Sequence, residues 1–126
     1  MVQMKHAELT GQVIGCAIEV HRELGPGLLE SSYEQSLAYE LTRSRIEFKR
    51  QEPVPALFKG VKLDCGYRAD FLIESVLLLE LKSIEQLQRI HQAQLLTYMK
   101  HAQISVGLLI NFNVTVLKYG LKRYVL

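Results

Sequence analysis

The chain has 126 residues, enough for one domain with a single core. Apolar residues make up 48% and charged residues 22%, ordinary globular usage that excludes a low-complexity or disordered chain. A net charge of +2 excludes a uniformly basic nucleic-acid coat but leaves room for a local basic groove.

Residues Met1 to Glu8 carry no apolar signal region, and no apolar run reaches the ~18 residues of a membrane span. The expectation is a cytoplasmic protein with no membrane partner. His6 is expected to be disordered. Glu8 to Leu24 reads as a helix, with Leu9, Val13, Ile14, Ala17, Ile18 and Val20 recurring near the 3.6-residue period. Gly25-Pro26-Gly27 stops it, because glycine accepts left-handed dihedrals and proline cannot continue a helix. Glu19, His21, Arg22 and Glu23 form its solvated end. Cys16 and Cys65 lack partners at metal-ligand spacing and read as small core or half-buried residues of a reduced intracellular protein.

A second helix is expected from Leu29 to Arg45, with Tyr33, Leu37 and Leu41 on its apolar face. Glu30 lies in its first turn, where the helix dipole favours an anion, and shares a face with Tyr33. Tyr33 is expected to be half core and half hydrogen-bond handle. Ile46 to Lys59 reads as extended, and Pro53 and Pro55 make it an edge or bulged strand. Lys59-Gly60 is a turn, and Val61 to Gly66 is a short hairpin arm entering the central pair. Asp64, close to Gly66, reads as turn chemistry.

Arg68 to Ile73 and Val76 to Leu81 read as strands joined by a tight turn at Glu74-Ser75. The second is almost unbroken in apolar residues, which suits a strand covered on both faces. Glu80 and Lys82 stand at its end, one residue apart and so on one face. With Asp70 in register on the neighbouring strand, two carboxylates and an ammonium converge. Such a cluster can hold a divalent cation beside a proton-handling lysine. The plain alternative is a pair of solvated strand-end charges.

A third helix is expected from Ser83 to Ala102, with Leu87, Ile90, His91, Gln94, Tyr98 and Ala102 on one side. Gln94 then falls within an apolar stripe, where its amide must either be satisfied by backbone or serve to orient a carboxylate or touch DNA. His91 and His101 read as structural or phosphate-contacting. Ile104 to Asn111 is a buried strand, Val114 to Gly120 a connection, and Leu121 to Leu126 a final edge strand.

Asp70 followed by Glu80-Leu81-Lys82 at the end of an apolar strand resembles the active-site signature of the PD-(D/E)XK nuclease superfamily, with Ala69 where the superfamily name has proline. Gly27-Leu28-Leu29-Glu30-Ser31-Ser32-Tyr33 resembles the motif of the small bacterial GxxExxY proteins, a branch of that superfamily. Gln94-Leu95-Leu96-Thr97-Tyr98 resembles the Gln-x-x-x-Tyr helix motif of RecB-like nucleases. The motifs occur in the superfamily's order, and the likeness runs from about Leu9 to Leu126.

The resemblance implies an α/β fold with a restriction-endonuclease-like core. A central mixed sheet would be flanked by helices in the order α-α-β-β-β-β-α-β-β, with residues 1–126 as a single domain. It implies a Mg- or Mn-dependent hydrolase of phosphodiester bonds, acting on DNA, with RNA as the second polymer to consider. Asp70 and Glu80 are its carboxylate ligands, with the Leu81 carbonyl as a third oxygen and Glu30 as a further ligand or the partner of a bound water. Lys82 would position or deprotonate the attacking water, and Gln94 and Tyr98 would complete the catalytic set. Lys49, Arg50, Lys59, Lys62, Arg68, Arg89, Lys118, Lys122 and Arg123 are the cations available to phosphate. The alternative is a nuclease-fold module whose catalytic chemistry is unused and which binds nucleic acid or a protein partner; self-association is open.

Overall fold

The computed structural model describes residues 5–64 and 66–126, so the readings of Cys65 and of the first four residues fall outside it. In chain order the elements are α1 (Ala7–Leu24), α2 (Glu30–Arg43), β1 (Phe48–Pro53), β2 (Ala56–Phe58), β3 (Val61–Leu63), β4 (Arg68–Ile73), β5 (Leu77–Lys82), α3 (Arg89–Ala102), β6 (Val106–Asn111), a 3-10 turn (Leu117–Gly120) and β7 (Leu121–Val125). Five strands form one sheet in the order β1-β4-β5-β6-β7, and β2 pairs with β3 in a separate hairpin. Only β5 and β6 run parallel; the other pairs are antiparallel. The result is the α/β core with a mixed sheet that the sequence implies, with one strand more than expected. Pro53-Val54-Pro55 divides the Ile46–Lys59 stretch into β1 and β2. The Val61–Gly66 arm pairs with β2 and does not join the central sheet.

The sheet is covered on both faces, and strand parity decides which residue goes where. Phe71, Ile73, Leu77, Leu79, Leu81, Val106, Leu108 and Ile110 pack toward α1 and α2, which bring Val13, Ala17, Val20, Tyr33, Leu37 and Leu41. Leu78 and Leu109 pack on the opposite face against Leu95 and Met99 of α3. Each fully buried Leu or Ile here contributes about 1.5–3 kcal/mol, so the central strands carry most of the apolar driving force. Gly107 permits the approach of α3, since a Cβ there would lie 2.5 Å from the Met99 sulfur. The turn joining β4 to β5 places Glu74 and Ser75 at φ 51° and 58°, the left-handed pair of a type I′ hairpin turn.

Several local readings are corrected by tertiary contacts. His6 is ordered: it precedes α1 at φ 52°, and its carbonyl accepts the Thr10 N–H at 2.9 Å. His21 is half-buried rather than solvated, and its Nε2–H donates to the Val114 carbonyl at 2.7 Å. The third helix begins at Arg89, not Ser83, because Asn111 clamps the preceding chain. Its Oδ1 accepts the Ile84 N–H at 3.1 Å and its Nδ2 donates to the Ile84 carbonyl at 2.9 Å. The helix then starts on a reciprocal cap, in which the Gln88 N–H donates to His91 Nδ1 at 2.9 Å. His101 Nδ1 likewise accepts the Leu57 N–H at 2.9 Å, tying the β2–β3 hairpin to α3. Both histidines thus have structural partners. Asp64 takes the turn role expected of it, accepting the Gly66 N–H at 3.3 Å. Among the described residues, no helix is long and apolar enough to cross a membrane.

Candidate active site

The β4–β5 ladder pairs Ile73 with Leu77, Leu72 with Leu78 and Phe71 with Leu79. The next pair in that register is Asp70 opposite Glu80, and there the backbone pairing stops. The Leu81 N–H donates to Asp70 Oδ2 at 2.7 Å, and the Asp70 N–H donates to Glu80 Oε1 at 3.2 Å. Two carboxylates have taken the place of the backbone ladder. Parity sets them on one face, since Asp70 lies two residues before Leu72 and Glu80 two residues after Leu78, both of which pack toward α3.

Leu81 adds a backbone group. Its N–H points from β5 toward β4, and the carbonyl of a strand residue leaves on the same side as its N–H. The neighbouring Lys82 carbonyl points the other way and accepts the Phe112 N–H at 2.9 Å. The Leu81 oxygen is thereby aimed toward the carboxylates.

Burial and mutual repulsion dominate the electrostatics. Glu80 is only 8% exposed. Loss of hydration, followed by the charge on Asp70, pushes its carboxyl up to about 8. Asp70 is raised by burial, against the pull of hydrogen bonds from Leu81 and Gln51. Glu30, at the start of α2, is raised by partial burial of its carboxyl and then by Asp70, while Lys82 acts in the opposite sense. The half-buried Lys82 lowers all three carboxyls. Tyr98 is raised by burial and then by Glu80, so α3 brings its phenol to the same place.

Asp70 and Glu80 meet at one strand end with Lys82 two residues on, and the charge of Asp70 acts on Glu30 and that of Glu80 on Tyr98. Gln94 does not join them by contact. It is exposed, one residue before buried Leu95, and its side chain makes no hydrogen bond among the described residues. The buried stripe of α3 is Leu95 and Met99, about one residue round the wheel from the side the sequence suggested. Gln94 and Tyr98 still share a helix face four residues apart.

Tyr33, in the first turn of α2, anchors the loop that precedes that helix. It is fully buried, its hydroxyl donates to the Gly25 carbonyl at 2.6 Å, and it accepts the Leu28 N–H at 3.1 Å. Its ring stacks on Phe112 with centroids 4.5 Å apart. Ser83, next to Lys82, donates to the Leu28 carbonyl at 2.6 Å. The Gly25–Leu29 loop is thus fixed from two sides, which sets where Glu30 begins α2.

Two participants carry no sequence signal. Gln51 lies on β1 directly across from Asp70, at φ 50°; the ladder pairs Arg50 with Phe71 and Glu52 with Ala69 but skips it. Its Nε2 donates to Asp70 Oδ1 at 3.1 Å and also to Glu34 Oε1. Glu34 in turn receives Arg50 Nη2 at 2.7 Å. Arg50 is thereby engaged in an ion pair, and Arg123 donates to the Lys5 carbonyl. Nothing in residues 48–53 marks Gln51, because its importance comes from cross-strand position and a left-handed backbone.

The donor set suits a hard divalent cation. Asp70 and Glu80 supply carboxylate oxygens and Leu81 a carbonyl oxygen. Among the described residues, no Lys, Arg or His nitrogen forms an ion pair with Asp70, Glu80 or Glu30. No three His, Cys, Asp or Glu side chains among the described residues are grouped tightly enough to hold an ion by themselves. Any cation would depend on the Asp70–Glu80 pair with backbone and solvent oxygens.

Residues 7–124 match the model of the PD-(D/E)XK nuclease superfamily. No curated protein and no solved structure matches the chain.

Proposed function

The chain belongs to the PD-(D/E)XK nuclease superfamily, and from that premise we propose that it hydrolyses phosphodiester bonds in DNA with Mg²⁺ or Mn²⁺. The observation that carries this reading is the replacement of the β4–β5 ladder by the Asp70 and Glu80 carboxylates, with Lys82 on the same strand end. A sheet gives up backbone pairing at a buried point only where the side chains that replace it satisfy the same N–H groups. Asp70 and Glu80 do so and still retain free lone pairs.

Asp70, Glu80 and the Leu81 carbonyl would hold the cation, with Glu30 reaching it through water. When bound, the ion supplies positive charge opposite the phosphate and acidity for the attacking water. Lys82 orients that water or stabilises charge on the phosphate as the bond forms. Gln51 keeps Asp70 from rotating. Tyr98 offers a hydroxyl beside Glu80, and Gln94, solvated on the same face of α3, offers an amide to the substrate backbone. DNA is the polymer proposed, and a ribonucleotide substrate is the arm to compare.

The deciding experiment is cleavage of labelled DNA and RNA over a titration of Mn²⁺, with wild type and Lys82→Ala purified identically. Cation-dependent cleavage lost in Lys82→Ala supports the reading. Equal cleavage by both proteins assigns the activity to a contaminant and leaves a nuclease fold that binds without cutting.

A further inference from the structure

Tyr67 enters the loop just before β4, three residues ahead of Asp70, and nearly half of it is exposed (48%). Its ring meets that of Tyr98, with centroids 5.2 Å apart and planes inclined at 44°. This pair stands at the entry to β4, the strand on which Asp70 lies and whose end faces Glu80. Its backbone is fixed: the Tyr67 carbonyl accepts the Val54 N–H at 2.9 Å. The next residue, Arg68, is exposed, and its Nη1 donates to the Gln51 carbonyl at 3.3 Å. Gln51 is the residue whose side chain touches Asp70. Arg68 and Tyr67 are thus chain neighbours within three residues of Asp70, the one tied to Gln51 and the other to Tyr98.

A half-exposed tyrosine is ordinarily a surface residue with no further role. Here it is supported from beneath by a second ring, and a fixed guanidinium and a reaction centre flank it. An aromatic face with an adjacent arginine is how proteins take an unpaired base and its phosphate. A base paired inside a duplex has both faces covered by its neighbours and cannot use it. We infer that Tyr67, backed by Tyr98 and flanked by Arg68, is a stacking site for an unpaired nucleotide next to the reaction centre, so that the substrate is single-stranded nucleic acid or the frayed end of a duplex. This rests on the nuclease reading for its position in the reaction, but the binding it describes needs no cleavage.

The test measures binding in EDTA, where no cutting occurs. The chain has no tryptophan, so Tyr67→Trp introduces a single indole reporter at the site. Its fluorescence should be quenched by a single-stranded oligonucleotide and not by a blunt duplex of equal length. In anisotropy titrations, Tyr67→Ala should weaken single-strand binding about 10- to 100-fold, the usual worth of one stacked base, while Tyr67→Phe and Tyr67→Trp stay within about threefold of wild type. An oligonucleotide carrying an abasic position should lose affinity for wild type and lose much less for Tyr67→Ala. Deoxy and ribo oligonucleotides run in parallel identify the polymer. Unchanged binding by Tyr67→Ala, equal loss in Tyr67→Phe, or equal quenching by duplex would overturn the stacking site. Lys82→Ala separates this inference from the enzyme reading: if neither wild type nor Lys82→Ala cleaves and the Tyr67 effects persist, the stacking site stands and the nuclease proposal falls. Cleavage lost in Lys82→Ala, with binding indifferent to Tyr67, gives the converse.

Discussion

Asp70 and Glu80 face each other across β4 and β5, and each holds a backbone N–H of the strand pair, Asp70 that of Leu81 and Glu80 that of Asp70 itself. Changing either residue therefore acts on charge and on strand pairing together.

Asp70→Ala and Glu80→Ala are expected to abolish measurable Mn²⁺ binding by calorimetry, and Asp70→Ala should also cost about 1–3 kcal/mol because the Leu81 N–H loses its acceptor. Wild-type affinity should be weak in the absence of nucleic acid, since most positions around the ion are left to water. Tight zinc binding that survives both substitutions would contradict the assignment.

Stability should depend on pH in a defined direction. Glu80 ionises at about 8 in the folded protein against an ordinary 4.5, so the folded state holds the extra proton between those values. The stabilisation is full below about pH 4.5 and is lost as pH rises through about 8. Asp70 and Glu30 shift in the same sense. Without divalent cation, the melting temperature should fall from pH 5 to pH 8.5, by an amount equivalent to a few kcal/mol at most. Added Mg²⁺ should raise it more at pH 8.5 than at pH 5, and Glu80→Gln should flatten the profile. Stability that rises over this interval would show that the pair is not repelled as described.

Lys82→Ala removes an ammonium without removing a ligand. Folding should be preserved, and cation affinity should increase slightly because a nearby positive charge is gone. Cleavage should fall on the order of 10²–10⁴-fold, the usual worth of a positioned proton-transfer group. Were Glu80 and Lys82 only strand-end charges, the same change would cost under ~1 kcal/mol of stability and alter nothing else.

Tyr33→Phe tests the loop that precedes Glu30. The stack on Phe112 is retained, but the Gly25 carbonyl and Leu28 N–H lose their shared partner. A loss of about 1–3 kcal/mol is expected in urea unfolding, seen as a lower midpoint at unchanged slope. A shift smaller than ~0.5 kcal/mol would mean that solvent replaces the hydroxyl without penalty.

The central strands were legible because burial on both faces leaves a mark in composition: Val76 to Leu81 and Ile104 to Asn111 are nearly continuous in apolar residues; β5 covers all but the first residue of the former run and β6 lies within the latter. The Asp70–Glu80 pairing needed more than the Glu74-Ser75 turn: Val76 is left in the turn, so Ile73 pairs with Leu77, and that one-residue shift sets Asp70 opposite Glu80 rather than Leu79. The chain from Ser83 to Gln88 was misread as helix because local propensity cannot register Asn111, which holds Ile84 from 27 residues away. His21 was misread for the same reason, its partner being Val114. Gln94 was set within the apolar stripe by a helical wheel turned about one residue, roughly 100°, from the buried side that Leu95 and Met99 define. Gln51 was invisible, since a left-handed glutamine within a strand has no compositional sign.

That residue has a consequence beyond Asp70. β1 is an outer strand of the sheet, and its free side faces solvent as a row of backbone donors and acceptors that another chain could pair with. The left-handed turn of the backbone at Gln51 interrupts that row, and Pro53 withholds a donor two residues later. A single irregularity thus orients a carboxylate on its inner side and blunts a sticky margin on its outer side. Regularising the strand would restore an open pairing edge and release the hold on Asp70.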